Sequence, residues 1–208
     1  MTYYKATRPD GTSFRDGKTT WTVGDTTKIP EKDRRIDLCG IGILHASDAP
    51  GETLLGGSWP CRLFEVEGDP VAQEGHKVGF HELTVVRELP AWQALGPNGE
   101  AVAAHIERCK TITNDQAHRM NAAWGATWGA TRDAALAATW DAALAAARDA
   151  ALAAAWDIER CKTITNDQAH RMNAARDAAL ALVVRDLITP DQFDLLYGPW
   201  RSVMEAGI

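Results

Sequence analysis

Apolar and polar residues alternate in short runs along the first ninety residues, and turn residues separate these runs. A period of two in β-branched and aromatic residues predicts β-strands. The predicted strands are residues 3–7, 19–23, 42–46, 62–67 and 82–88. The Pro-Asp-Gly sequence at residues 9–11 predicts a hairpin turn after the first strand, and the turn residues between 90 and 99 predict a linker.

The second half of the chain favours helix throughout. Three Thr-x-x-Gln sequences, each preceded by isoleucine, are capping boxes, in which the threonine caps the N3 amide and the glutamine reaches back to the cap residue. They lie at residues 113–116, 165–168 and 189–192. They predict helices that begin near residues 114, 166 and 190, and a further helix over about residues 99–110 precedes them.

These patterns predict an α+β protein with two domains. A small β-rich domain occupies residues 1–95, and an all-helical, alanine-rich region with antiparallel or extended helices occupies residues 96–208. The helical region contains an internal duplication, because residues 106–123 and 158–175 are the same sequence, IERCKTITNDQAHRMNAA. Identity over this length indicates a recent event.

The segment between the two copies has a four-residue period. A large residue recurs at every fourth position, and 18 of the 35 alanines of the chain lie between Ala122 and Ala155. Four residues of α-helix turn about 400°, so this ridge drifts by about 40° at each step and does not form a coiled-coil stripe. Successive stretches must bury different faces or touch several neighbours. A selected length function, such as a spacer or rod, and a neutral expansion of the repeat both fit this pattern.

Large side chains of this ridge are the predicted interaction residues. Tryptophans on a lone exposed helix would be costly, so we expect helix packing or another subunit to bury them. The set is Trp124, Trp128, Leu136, Trp140, Leu144, Leu152 and Trp156. They predict a homo-oligomer or a protein partner bound through the helical half.

The net charge of −6 argues against a dedicated nucleic-acid-binding protein. Charged residues interrupt every long alanine-rich stretch, so we expect no membrane-spanning helix. The N-terminal residues lack the apolar core of a signal peptide. We therefore expect a cytoplasmic protein, located in the cytoplasm of a host cell or in a virion if a phage encodes it.

Candidate chemistry is sparse, because the sequence has no P-loop, GxGxxG, HExxH, GxSxG or CxxC motif. The four cysteines match neither a zinc pattern nor a disulfide framework, so buried thiols are expected, and we predict neither a metal nor a cofactor. A metal site formed by Cys39, His45, Cys61, His76 or His81 is the alternative, although these residues are irregularly spaced. His45, which ends an apolar run, is more often structural than catalytic at such a position.

The N-terminal half resembles an uncharacterised domain of actinobacterial and actinophage proteins. The resemblance rests on YKAT with PDG near the start, on CGIGILHAS at residues 39–47, on WPCRLFEV at residues 59–66 and on residues 83–89. It covers roughly residues 2–90 and 185–203, and such proteins also carry alanine-rich C-terminal segments. Ala6 and residues 44–47 depart from the Tyr-Lys-Gly-like start and the Gly-Phe-His-Ala-Cys-like centre of related phage domains. The resemblance implies a phage or mobile-element setting and no particular activity.

Three functions are compatible with these patterns as hypotheses. The first is a non-enzymatic binding or assembly protein, in which the helical half mediates oligomerisation or spacing. The second is a nucleotide-acting enzyme with an ADP-ribosyltransferase-like β domain, in which Tyr4, His45 and Glu82 would fill the catalytic roles by their order along the chain; this is an analogy at the level of fold. The third is a phage inhibitor of a host factor.

Overall fold

The computed structural model describes residues 1–38, 40–126, 133–138 and 173–205. The chain divides into two units, Met1–Gly96 and Pro97–Ile208. The first unit contains a seven-stranded antiparallel sheet and the second contains helices. The predicted α+β class is therefore confirmed. None of the described helices combines the length and the hydropathy that a membrane span requires.

The sheet has the strand order β2-β7-β4-β1-β3-β6-β5, and every neighbouring pair is antiparallel. The strands are β1 Tyr3–Thr7, β2 Thr26–Lys28, β3 Leu44–Ser47, β4 Arg62–Glu67, β5 Pro70–Glu74, β6 Lys77–Phe80 and β7 Glu82–Leu89.

The prediction is confirmed for the strands that form the middle of the sheet. β1 and β4 have the predicted bounds, and β3 and β7 overlap the predicted strands with shifted ends. The strand predicted at residues 19–23 is wrong, because Thr20 forms only an isolated bridge with Thr12. Sequence patterning missed β2, β5 and β6. The first two are mostly exposed edge strands, and strands without a buried face lack the apolar alternation that signals a strand.

The short connection through His81 shows that the sheet is strongly curled. This single residue joins β6 to β7, although three other strands lie between them in the strand order. Four strand spacings in a flat sheet would measure about 19 Å, whereas two residue steps span about 7 Å. The sheet must therefore bend until β6 and β7 meet. Its concave side encloses a core in which the rings of Tyr3 and Phe80 pack edge to face at 4.8 Å.

The turn predicted at residues 9–11 is present, but the hairpin is not. Asp10 accepts hydrogen bonds from the backbone N–H and the hydroxyl of Thr12, and Gly11 has a φ of 85°. The strand that enters this turn, β1, pairs with β4 and β3 instead of with the residues after the turn. The predicted linker also differs, since Ala91–Leu95 forms a 3₁₀ helix whose last two residues are buried.

The described part of the second unit contains four α-helices, a short helical stretch at residues 133–138 and a 3₁₀ helix at Arg185–Leu187. The helices are α1 Gly99–Cys109, α2 Asn114–Ala126, α3 Asn173–Val183 and α4 Pro190–Met204. The starts predicted near 114 and 190 are confirmed. At both, the N3 amide donates to the threonine Oγ1 at 3.2 Å and the threonine amide donates to the glutamine Oε1 at 2.9 Å. The start predicted near 166 lies outside the described residues, as does most of the 114–162 segment.

Helix α3 is buried on nearly all sides. It packs against α1, α2 and α4, and Ala174, Ala175 and Asp177 to Val183 are all buried. A helix that is buried on nearly every side belongs inside a bundle. The small alanine side chains of α3 permit its neighbours to approach closely, so in this part of the chain alanine fills a core position.

Candidate functional site

Two of the three predicted catalytic residues, Tyr4 and His45, lie on neighbouring strands. Tyr4 on β1 pairs with Ser47 on β3. Because strand side chains alternate between faces, Tyr4, Ser47 and His45 share one face of the sheet. Glu82 lies on β7, which β4 and β1 separate from β3 in the strand order, and its carboxylate accepts from Lys28 Nζ at 2.9 Å.

The imidazole of His45 is fixed at both nitrogens. Nε2 lies 2.7 Å from the carbonyl oxygen of Leu38, and Nδ1 lies 3.2 Å from a guanidinium nitrogen of Arg15. A carbonyl can only accept and a guanidinium can only donate, so the proton of the neutral ring is on Nε2. Burial lowers the pKa of His45 to about 4. His45 is therefore a neutral link between Arg15 and Leu38 at neutral pH.

These contacts belong to a larger set that fixes one surface loop. The loop, termed the 31–43 loop, comprises residues 31–38 and 40–43 in the described chain. Arg15 donates to the carbonyl of Gly40, and His81 Nε2 donates to the carbonyl of Arg35 at 2.9 Å. The amide of Arg35 donates to the carbonyl of Gly42 at 3.0 Å and closes the loop on itself. Side chains from outside the loop thus hold its backbone at three points, counting His45.

The closure of the 31–43 loop requires glycine at position 42. Gly42 has a φ of 90°, in the region that residues with a side chain rarely adopt. A Cβ at this position would lie 3.1 Å from the carbonyl carbon of Asp33 and closer still to its oxygen. The two sides of the loop therefore approach too closely for any side chain to fit between them.

The fixed loop exposes two isoleucines. Ile36 is 71% exposed and Ile41 is 89% exposed, whereas Leu38 and Ile43 of the same loop are buried. Single exposed apolar side chains are ordinary, and this loop carries two of them on a backbone that hydrogen bonds hold in place. Sequence patterning missed the exposure of Ile41, because it placed the apolar run from Gly40 to Ser47 in a strand.

The charges of the 31–43 loop balance. Glu31, Asp33 and Asp37 match Lys32, Arg34 and Arg35 in number, so the loop carries no net charge. Arg34 donates from Nε to the carbonyl of Ile29 at 3.2 Å. A neutral, partly apolar loop is a poor match for the phosphate backbone of a nucleic acid.

In the helical unit, two of the predicted interaction residues lie in the described chain. Trp124 is half-buried and donates from Nε1 to Asp177 Oδ2 at 3.0 Å. Leu136 packs against a cluster that contains Ala135, Ala181 and Leu196. Both side chains contact their own unit. Trp128, Trp140, Leu144, Leu152 and Trp156 lie outside the described residues.

In the described part of the helical unit, one histidine is buried: His105 on α1. Its Nε2 donates to the carbonyl of Ala175 at 2.8 Å, and its ring centre lies 4.0 Å from that of Trp200. Burial lowers its pKa to about 4. His105 is thus a neutral tie between α1, α3 and α4, and no motif in the sequence singles it out.

The groups considered for metal binding are separate in the described chain. His76 pairs with Asp48 at 2.7 Å, and Cys61 is a buried thiol whose pKa burial raises to about 12. Cys109 is also buried. Cys39 and Cys161 lie outside the described residues. Among those residues, no three His, Cys, Asp or Glu side chains converge on a common point.

Comparisons with protein-family models, with curated proteins and with solved structures found no match to this chain.

Proposed function

We propose that this chain is a non-enzymatic binding and assembly protein. The 31–43 loop of the first unit binds a protein partner by inserting Ile36 and Ile41 into an apolar pocket, and the helical half mediates oligomerisation or spacing. The single observation that carries the recognition part is the combination of two exposed isoleucines with a loop backbone held by Arg15, His45 and His81.

The energetics favour such a loop as a binding element. A flexible loop loses conformational entropy when a partner orders it, whereas a loop that is already fixed avoids most of this cost. Burying two isoleucine side chains contributes about 3–6 kcal/mol, which corresponds to roughly a 100-fold or larger change in affinity.

The loop charge favours a protein partner over a membrane. An anionic membrane surface attracts clusters of lysine and arginine, whereas this loop has equal numbers of acidic and basic residues and the chain has a net charge of −6. A protein pocket with a mixed polar rim matches the balanced charge and the two apolar side chains.

The test compares three purified forms of the full chain: wild type, the double variant Ile36→Ser/Ile41→Ser, and the control Leu55→Ser. Leu55 is 62% exposed and lies outside the loop. A partner captured by the wild type from the natural host is purified, and its affinity for each form is measured by calorimetry. We expect the double variant to bind at least about 30-fold more weakly and the control to bind as the wild type does.

Two results would overturn the recognition part. One is equal affinity of the partner for the double variant and the wild type. The other is sedimentation of the wild type, but not of the double variant, with lipid vesicles, which would assign the isoleucines to a membrane. The assembly part is tested separately by light scattering on the wild type, where a monomer at all concentrations would contradict it.

A further inference from the structure

Strand β5 forms an open edge of the sheet. It stands last in the strand order and pairs with β6, and no backbone hydrogen bond among the described residues joins it to another segment. Backbone groups alternate in direction along an antiparallel strand, so part of the N–H and C=O groups of β5 faces away from β6. The side chains of Pro70, Val71, Gln73 and Glu74 are exposed. The open side of β5 can therefore receive a further strand.

Three carboxylates surround this edge. Glu67 ends β4, Asp69 lies in the turn before β5, and Glu74 ends β5; all three are exposed. The ion pairs that the structure describes in the first unit all use other carboxylates. From the end of β4 to the start of β6, the three carboxylates and Lys77 give a formal charge of −2 with the histidine neutral. The open edge is therefore acidic.

This charge decides between two occupants of the edge. In an antiparallel pair of two β5 strands from two copies of the chain, Asp69 of one copy would lie close to Glu74 of the other. Like charges on paired strands are destabilising, and charged side chains protect edge strands from pairing with their own kind. An extended segment that carries basic side chains instead meets charges of the opposite sign.

We propose that the open edge of β5 binds an extended peptide segment of a protein partner, rich in lysine or arginine, which adds to the sheet as a further strand. Main-chain hydrogen bonds to β5 supply affinity, and the carboxylates of Glu67, Asp69 and Glu74 select basic side chains. The exposed Val71 offers a cross-strand contact to an apolar residue of the segment. This surface lies outside the 31–43 loop, so the inference goes beyond the proposed function.

The test measures the affinity of the full chain for two synthetic peptides by calorimetry at constant ionic strength. One is Lys-Val-Lys-Val-Lys with capped ends, and the other is the same peptide with a methyl group on every backbone nitrogen. The methylated peptide keeps the charges and the side chains but has no N–H to donate. We expect it to bind at least about 10-fold more weakly than the first, because its hydrogen bonds to β5 are lost.

Two variants of the full chain test the role of the charges. Asp69→Asn/Glu74→Gln removes two carboxylates from the edge, and the control Asp191→Asn/Glu100→Gln removes two exposed carboxylates from the helical unit. All four side chains are exposed, so we expect both variants to fold. We expect the edge variant to bind Lys-Val-Lys-Val-Lys at least about 5-fold more weakly and the control to bind it as the wild type does.

Hydrogen exchange of the wild type then locates the bound peptide. We expect Lys-Val-Lys-Val-Lys to slow exchange in residues 69–75 and to leave residues 31–43 unchanged. The proposal is wrong if the wild type does not bind this peptide, if the methylated peptide binds equally well, or if both variants lose the same affinity. Slower exchange in residues 69–75 as the concentration of the protein alone rises would assign the edge to a second copy and would also overturn it.

Discussion

Substituting Gly42 with alanine tests whether the 31–43 loop is fixed as its contacts indicate. A residue with a side chain at a φ of 90° costs about 1–2 kcal/mol. The added methyl group also overlaps the carbonyl group of Asp33, and forcing one extra carbon into a filled space costs about 1–3 kcal/mol. We expect Gly42→Ala to lower the free energy of unfolding of the first unit by about 2–5 kcal/mol.

The matched control is Gly24→Ala. Gly24 has the same φ of 90°, but nothing lies within 4 Å of its would-be Cβ. In Gly24→Ala, only the unfavourable backbone conformation lowers the free energy of unfolding. The difference in free energy of unfolding between the two variants therefore measures the cost of the overlap with Asp33. We expect a difference of about 1–3 kcal/mol in urea unfolding of the full chain.

A local measurement accompanies the unfolding experiment. The amide of Arg35 donates to the carbonyl of Gly42, so opening of the loop exposes this amide to exchange. We expect hydrogen exchange in the peptide covering residues 30–44 to accelerate in Gly42→Ala and to stay at the wild-type rate in Gly24→Ala. Equal unfolding free energies and equal exchange in both variants would refute the view that this loop is held closed.

Three further outcomes concern the helical unit. Trp124→Phe removes the hydrogen bond to the buried Asp177 and should lower the free energy of unfolding by about 1–3 kcal/mol; an unchanged thermal midpoint would contradict the contact. His105 has a folded pKa of about 4, below its ordinary value of 6.5, so the unfolded chain takes up the proton first and stability falls as the pH drops from about 6.5 towards 4. His105→Asn should reduce that pH dependence by up to about 1.4 kcal/mol per pH unit, measured by urea unfolding at a series of pH values, and an identical slope would exclude this role. Thr189→Ala removes a capping box and should cost about 1 kcal/mol, whereas no loss of helix stability by circular dichroism would show that the cap is dispensable.

The fold could be predicted where its signals are local. Capping boxes act within one helical turn, and two of them located the starts of α2 and α4 correctly. Strands β1 and β4 lie in the middle of the sheet, so their buried positions repeat with a visible period. The edge strand β5 is exposed along most of its length, and no period in its sequence distinguishes it from a loop.

The candidate site could be predicted only in part, because its contacts join residues far apart in sequence. His45 ends an apolar run, a position where a histidine is more often structural than catalytic. The contacts of both of its ring nitrogens agree with a structural role. The pairing of His81 with Arg35, and of Lys5 with the carbonyl of His45, depends on the curl of the sheet and on the pairing of β1 with β3. Nothing in the local sequence encodes those distances.

Repeated sequence does not imply a repeated environment, and two comparisons within the chain show this. Ala122 is exposed on α2, whereas Ala174, the same position of the duplicated unit, is buried on α3. Asp133 and Asp177 both begin the sequence DAALA, yet Asp133 is exposed and Asp177 is 1% exposed.

DAALA occurs four times in the sequence, and the difference between the two described copies follows from the residues on their C-terminal sides. The buried copy continues into Leu182, Val183 and Val184, which all lie in the core, whereas the exposed one continues into Ala138. Burying two or three more branched side chains adds several kcal/mol and favours burial of the 177–181 copy over the 133–137 copy. Regular spacing in the sequence is therefore no evidence that the tryptophans of the repeat share one environment. Trp124, the repeat tryptophan in the described part of the chain, donates to Asp177 on α3, the helix that contacts α1, α2 and α4.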